Sequence, residues 1–305
     1  MSKRVLIVGC GYVGVPLGHE LVKQGCEVFG LRRSSSADDA LRAAGIKPLH
    51  ADITKPETLA CLPPDFHWVV NCAATGGGTA ADYRQLYCQG TVNLVDWLRV
   101  APPAKYLYTS STSVYGQEDG SVVEEADLTR PGTETTQSLV ETESRLFSAF
   151  QHWKFPVVVL RLAGIYGPGR GYWLRQFLRG EARLDGDGSR YLNMIHRTDA
   201  IRAVIAALED APIPSVYNVV DDEPVQQRDL FAWLAEQLGK PLPPAAPADA
   251  ETARKRGATS KRVSNLRLKQ ELGFSFQYPT FRQGYTAELL RLNRAGDPAL
   301  DPPGA

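Results

Sequence analysis

Val5-Leu6-Ile7-Val8-Gly9-Cys10-Gly11-Tyr12-Val13-Gly14 sets four apolar residues directly before three glycines, and Leu17 to Val22 then carry apolar side chains at helical spacing until Gly25. The order predicts a buried strand, a tight turn and a helix. In that setting the first glycine permits the turn, the second lets a pyrophosphate approach the backbone, and the third lets helix and strand pack closely. The unpaired N–H groups at the helix start then face the anion. Gly9, Gly11, Tyr12, Val13 and Gly14 are therefore candidate contacts for a dinucleotide. The bland alternative is an ordinary strand-to-helix turn, which needs no such spacing.

Outward from this stretch, strand-like apolar runs alternate with helical ones. Arg4 to Val8, Glu27 to Leu31, His67 to Cys72, Lys105 to Tyr108 and Val157 to Leu160 read as strands, and Thr91 to Leu98 and Leu139 to Phe150 as helices. Strands with almost no polar alternation are buried on both faces, which requires helices on each side of a parallel sheet. The predicted fold class is α/β, a doubly wound parallel sheet of the Rossmann kind with a smaller C-terminal lobe on the substrate side. We expect residues 1–164 to form the nucleotide-binding domain, with 195–220 returning to it. Residues 165–194 and 221–293 would form the small lobe, and 294–305 a flexible tail rich in Pro, Gly and Ala.

Composition excludes several classes. The 305 residues are 43% apolar and 22% charged, with 34 basic and 34 acidic side chains that cancel. No global positive field exists to draw nucleic acid or anionic lipid, so neither is an expected partner. No stretch is long and apolar enough to span a membrane. The five cysteines lack metal spacing or any Cys-x-x-Cys, so we expect reduced thiols, no metal and a cytoplasmic setting.

The end of the second strand usually presents an acidic residue to the adenosine ribose of a dinucleotide. Arg32 stands there, followed by Arg33 and Ser34, which offer donors to a 2′-phosphate and no carboxylate to repel it. NADP(H) is therefore expected in preference to NAD(H). Asp52, followed by Ile53, is a candidate adenine contact, though a turn-forming aspartate explains the same residue. Ala73 and Ala74, just past the strand ending at Cys72, complete the expected cofactor set.

Further segments carry a family resemblance over nearly the whole chain. Gly90-Thr91-Val92-Asn93-Leu94, Ser110-Ser111-Thr112-Ser113-Val114-Tyr115-Gly116 and Leu160-Arg161-Leu162-Ala163-Gly164-Ile165-Tyr166-Gly167-Pro168-Gly169 follow in order. Ile195-His196-Arg197-Thr198-Asp199-Ala200, Tyr217-Asn218-Val219-Val220-Asp221-Asp222-Glu223-Pro224 and Ser260-Lys261-Arg262-Val263-Ser264-Asn265 complete the set. Together they resemble the extended short-chain dehydrogenase/reductases, the epimerase/dehydratase-like branch, and the Ser110 and Arg161 segments are similar to a YeeZ-like atypical group within it. The resemblance implies nicotinamide chemistry on a small-molecule substrate and, through helices near Thr91 and Leu139, a homodimer.

It also implies a Tyr-x-x-x-Lys pair about two dozen residues past the serine, the tyrosine moving a proton and the lysine lowering its pKa. Between Gly132 and Phe150 there is neither Tyr nor Lys. Direct spacing from Ser111 puts Thr136 and Val140 in those places, and a one-residue shift Thr135 and Leu139. Loss of general acid–base help costs about a hundredfold to ten-thousandfold, so redox chemistry would be slow but not forbidden. Ser111 and Tyr115 are the catalytic candidates. The alternatives are that Ser111 completes a turn and that Tyr115 packs its ring. Tyr87 is a second tyrosine to weigh, and Glu141 and Glu143 are read as facing water.

The arginine that nucleotide-sugar members place before the histidine is replaced by Leu192, with Arg190, Arg170 and Arg175 near in sequence. His196 reads as a structural hydrogen-bonding residue at a helix start. Tyr172 and Trp173 either line a substrate cleft or anchor the small lobe. Two functional expectations follow: an oxidoreductase or epimerase-like protein acting on a small polar carbonyl, hydroxyl or sugar-type compound, or a non-catalytic NADP(H) sensor.

Overall fold

The structure, a computed structural model, describes residues 2–247 and 259–294. Five strands, β1 (Arg4–Val8), β2 (Glu27–Arg32), β3 (Lys47–His50), β4 (Trp68–Asn71) and β5 (Lys105–Ser111), join Val157–Leu162 and Ser215–Val219 in one sheet. Its order is Ser215–Val219, Val157–Leu162, β5, β4, β1, β2, β3. The sheet is parallel and flanked by helices. Leu6, Ile7, Val69, Val70, Leu107 and Val158 have no exposed surface, which is why these segments lack polar alternation. The chain runs outward from β1 to β3 and then crosses back to β4 on the other side. The carboxyl ends of β1 and β4 therefore border the crevice where such sheets receive ligands.

Helix α1 (Gly14–Lys23) packs Leu17, Gly18 and Leu21 inward. Cys10, at the tip of the preceding turn, fills space beside β2: a Cβ on Gly30 would lie 2.7 Å from the Cys10 Sγ. Burial pushes the Cys10 thiol up to about 12, against a smaller lowering by Arg32, so it behaves as an inert apolar filler.

The chain divides into two compact units, one of Met1–Val114, Pro131–Arg161 and Ile201–Tyr217, the other of Tyr115–Arg130, Leu162–Ala200 and Asn218–Ala305. A boundary drawn at 164 from the sequence leaves Tyr115–Arg130 in the first unit. Its contacts lie in the second, because Val122–Val123 pairs in parallel with Arg262–Val263 and Glu125 accepts the Asn218 N–H at 2.7 Å. The second unit has its own core around Tyr166, Phe177, Leu230, Phe231, Phe281 and Tyr285. Of the tail expected at 294–305, Arg294 closes the helix Phe281–Arg294 and the rest lies outside the described residues.

Gly284 in that helix lies against Tyr166: a Cβ there would fall 1.9 Å from the Tyr166 Oη. Gly284→Ala is expected to lower stability by about 1–3 kcal/mol through overpacking, read as a lower urea midpoint with an unchanged slope. Pairing it with Tyr166→Phe, which removes the obstructing oxygen, should recover part of the loss.

Candidate functional site

The turn after β1 is built for close approach. Gly9 has φ +93°, and a Cβ on it would stand 2.5 Å from the backbone N and Cα of Ala73, beyond the end of β4. Gly9 thus lets the two carboxyl ends converge. A Cβ on Gly14 would lie 2.5 Å from the Gly9 carbonyl oxygen, so the third glycine serves helix packing. Around Gly11 there is nothing within 4 Å of a Cβ position: the backbone there faces open space. Helix α1 starts beside it with no side-chain cap at Val13 and no acidic residue in its first turn, leaving a positive dipole end for an anion.

At the end of β2, Arg32 donates from Nη1 to the Cys10 carbonyl at 2.9 Å, tying this strand to the glycine turn. Arg33 and Ser34 are exposed in the following loop. The next acid along the chain, Asp38, is engaged by Arg42 at 3.2 Å and His50 at 2.9 Å. The glycine turn and the uncapped start of α1 fit the pyrophosphate of a dinucleotide.

Asp52 and Ile53 have structural work. Asp52 Oδ1 accepts from the Thr54 N–H at 3.0 Å and its hydroxyl at 2.8 Å. Burial opposes ionisation there, but those bonds, with Arg33 and Lys55, hold the carboxyl below the usual range. Ile53 is buried, accepts from Asn93 Nδ2 at 2.8 Å and packs where a Cβ on Gly90 would stand. Ala73 is half-buried with its N–H on Asn71 Oδ1 at 3.3 Å, and Ala74 is exposed.

The helix that would carry a Tyr-x-x-x-Lys pair is Glu134–Trp153. Thr136 is fully buried and closes a reciprocal cap with Thr133, each side chain bonded to the other's N–H. Thr135 is half-buried with its hydroxyl 2.9 Å from the Thr133 hydroxyl. Leu139 is buried, while Val140 lines a groove of this unit against the helix Gly90–Leu98, together with Gln137, Glu141 and Ser144. Neither spacing supplies a phenol or an ammonium.

Ser111, nearly buried at the end of β5, accepts the Ser113 N–H at 3.2 Å and so helps form the turn. Tyr115 is fully buried in the second unit and donates to Asn218 Oδ1 at 2.9 Å, a geometry that counts against it as a proton donor. Tyr87 is mostly buried on a π-helical turn, Arg84–Gln89, and its hydroxyl accepts the Thr75 N–H at 3.4 Å, two residues past Ala73.

One sequence expectation is corrected here. Glu143 does not face water: it is 4% exposed, receives Arg161 Nη2 at 2.7 Å and Nε at 3.2 Å, and accepts the Ser110 hydroxyl at 2.5 Å. Arg161 is 5% exposed. The pair locks the helix to β5 and to Val157–Leu162. Glu141 is the surface member, paired with Arg84 and Arg145. A second buried tie links Asn71 Nδ2 to Thr91 Oγ1 at 3.2 Å and Tyr106 Oη at 3.0 Å. In the second unit Asp199 accepts the Gln277 and Tyr278 N–H groups, both at 2.8 Å, and His196 Nδ1 accepts from Thr198 N–H at 3.2 Å. Trp173 meets Phe231 edge-on at 5.9 Å, an anchoring contact, while Tyr172 stays exposed. Among the described residues no group of three or more His, Cys, Asp or Glu is arranged to hold a metal ion. No helix among them is long and apolar enough to cross a membrane.

A glycine turn at the crossover of a doubly wound parallel sheet is the arrangement of the nucleotide-binding Rossmann fold. Residues 5–219 match the model of the NAD dependent epimerase/dehydratase family, and the chain belongs to that family. It is similar to the Escherichia coli (strain K12) protein YeeZ, 29% identical over 91% of this chain and 97% of that one. It is also similar to dTDP-6-deoxy-L-talose 4-dehydrogenase (NAD(P)(+)) of Kitasatospora kifunensis, 28% identical over 79% of this chain and 80% of the relative. A solved structure of a functionally unknown conserved protein from Silicibacter pomeroyi superposes with TM-score 0.74 at 30% identity, covering 95% of this chain and 99% of the other.

Removing one member of the Glu143–Arg161 pair leaves a buried charge. Glu143→Ala should cost about 3–5 kcal/mol in chemical denaturation, whereas Glu143→Leu combined with Arg161→Met should cost much less, because both charges leave together.

Proposed function

We propose that the chain is an NADP(H)-preferring oxidoreductase or epimerase-like enzyme acting on a small polar carbonyl, hydroxyl or sugar-type compound. The observation that carries this reading is the open backbone at Gly11 beside an uncapped helix start, with exposed Arg33 and Ser34 at the end of β2. The coenzyme, when bound, supplies hydride transfer. The protein's part is to hold the pyrophosphate on the N–H groups of Tyr12 to Gly14 at the helix start, since those of Gly9 and Gly11 already donate to the Leu31 and Gly9 carbonyls, and to receive a 2′-phosphate on Arg33 and Ser34, while Arg32 steadies the turn through the Cys10 carbonyl. Ser111 Oγ, which accepts the Ser113 N–H, is the hydroxyl assigned to a substrate oxygen. Tyr87 replaces Tyr115 as the phenol to test, since its hydroxyl sits on the loop that leaves the cradle.

A second reading, a non-catalytic NADP(H) sensor, draws support from the cap at Thr133 and Thr136, which engages a hydroxyl standing near the family's tyrosine position. Both readings place the protein in the cytoplasm with small-molecule partners, without nucleic acid or membrane. We also assign to a homodimer the groove between Gly90–Leu98 and Glu134–Trp153, whose half-exposed Val140 offers apolar surface to a second copy.

Calorimetric titration should show NADPH binding more tightly than NADH, and Arg33→Ala should weaken NADPH about tenfold while leaving NADH nearly unchanged. Equal affinity for the two coenzymes in the wild-type chain overturns the preference.

Turnover separates the two readings. With 4-deuterated NADPH and a panel of small sugar-like carbonyl compounds, the enzyme reading expects label to appear in product, and Ser111→Ala to slow its transfer about a hundredfold. Tight NADPH binding without any label transfer favours the sensor.

A further inference from the structure

Arg33-Ser34-Ser35-Ser36-Ala37 join β2 to the helix Asp38–Ala43, all within the first unit. Arg33 and the three serines are exposed. Serine hydroxyls bond to one another and to nearby backbone in many ways, so such a stretch has several conformations of similar energy. Here the Ser34 and Ser36 hydroxyls are 3.1 Å apart. What limits this loop is a tie between its two ends that runs through the next strand. At one end Arg32 stands opposite His50 in the parallel pairing of β2 with β3, and its carbonyl accepts the Ala51 N–H at 3.0 Å. At the other end Asp38, the first residue of its helix, is 9% exposed, and its Oδ1 lies 2.9 Å from His50 Nε2. Strand, imidazole and carboxylate thus close the loop into a ring.

The tie also settles the place of a charge. Asp38 and Asp39 both sit in the first turn of their helix. Arg42 donates from Nη2 to Asp38 Oδ2 and from Nη1 to Asp39 Oδ1, each at 3.2 Å. With His50 on Oδ1, each oxygen of Asp38 has its own partner, and the carboxylate is held at the end of β3. Without His50, Oδ1 would lose that partner, and an acid at the end of the loop would be free to turn toward the serines.

We propose that His50, acting through Asp38, is a positioning residue for the 2′-phosphate of the coenzyme: it fixes the loop 33–37 so that Arg33 and Ser34 are presented together, and so sets the preference for NADP(H). This rests on the NADP(H)-preferring reading and adds to it a residue that works through another. A loop already ordered binds more tightly than a free one, because less chain has to be ordered on binding. Only a coenzyme that uses the loop gains from this. NADH, with a hydroxyl where NADPH has the phosphate, is indifferent to the tie.

The test is calorimetric titration of the folded chain with NADPH and with NADH in parallel. His50→Ala is expected to weaken NADPH about tenfold and to leave NADH within about twofold. His50→Gln, whose amide N–H can still reach Asp38, should keep NADPH within about threefold. Asp38→Ala should weaken NADPH as His50→Ala does, although it removes a negative charge. The double variant should be about as weak as either alone, since both changes break one tie. In the coenzyme-free chain, amide exchange at residues 34–37 should be faster in His50→Ala than in wild type or His50→Gln. Wild-type affinity for NADPH in His50→Ala, or an equal loss of NADH, overturns the proposal. So does a loss of NADPH in His50→Gln as large as in His50→Ala, which assigns the effect to the charge of the imidazole. Undiminished NADPH binding by Asp38→Ala, or unchanged exchange at 34–37, overturns it as well. A wild-type chain that binds the two coenzymes equally is a separate result: it strikes the coenzyme preference itself, and the role of His50 with it.

Discussion

Two neighbouring parallel strands, β1 and β4, end side by side where the chain crosses from one half of the sheet to the other, and here their approach is limited by one atom. At Gly9 a single extra carbon would strike the backbone of Ala73. The positive φ of Gly9 turns the chain away from β1, starts helix α1 against the sheet and leaves the Gly11 backbone bare. The cradle, the placement of Arg32 over it and the course of the loop after β4 all follow from that contact. A larger residue at position 9 would separate the strand ends and change several parts of the site together.

The parts of the fold that the sequence exposes are those governed by repeating patterns. Buried parallel strands need apolar side chains on both faces, so Val5 to Val8 and Val157 to Leu160 declare themselves, and the glycine spacing declares the turn. Asp52 illustrates what pattern reading leaves undecided: its carboxylate is a turn-former held by Thr54, and both roles use the same residue type. Glu143 shows where pattern reading fails. Its charge suggests a solvated helix face, and its burial depends on Arg161, 18 residues away on a strand. The signal available was Arg161 itself, a cation inside an otherwise apolar strand run, which demands an acid from a neighbouring element. Tyr115 was legible as a tyrosine after the serine strand, but its bond to Asn218 joins residues about a hundred positions apart, beyond the reach of local spacing.

The polar residues of the family segments divide by task. Thr91, Asn93, Asn71 and Tyr106 hold helix, strand and loop in register through buried hydrogen bonds. Asp199 ties two backbone N–H groups of a distant segment. Such residues are costly to leave unpaired, which makes them dependable struts and poor reactants. The hydroxyls singled out for testing are therefore few: Ser111, at the end of β5, and Tyr87, on a helical turn wound one residue wider than usual.

The sulfur of Cys10 occupies the volume that a side chain at position 30 would need. The two positions therefore share one small space between the glycine turn and the second strand. Relatives that carry alanine or serine at position 30 should show a smaller residue at position 10, so inheritance at these sites is expected to be linked, with size traded between turn and strand while the nucleotide path stays clear.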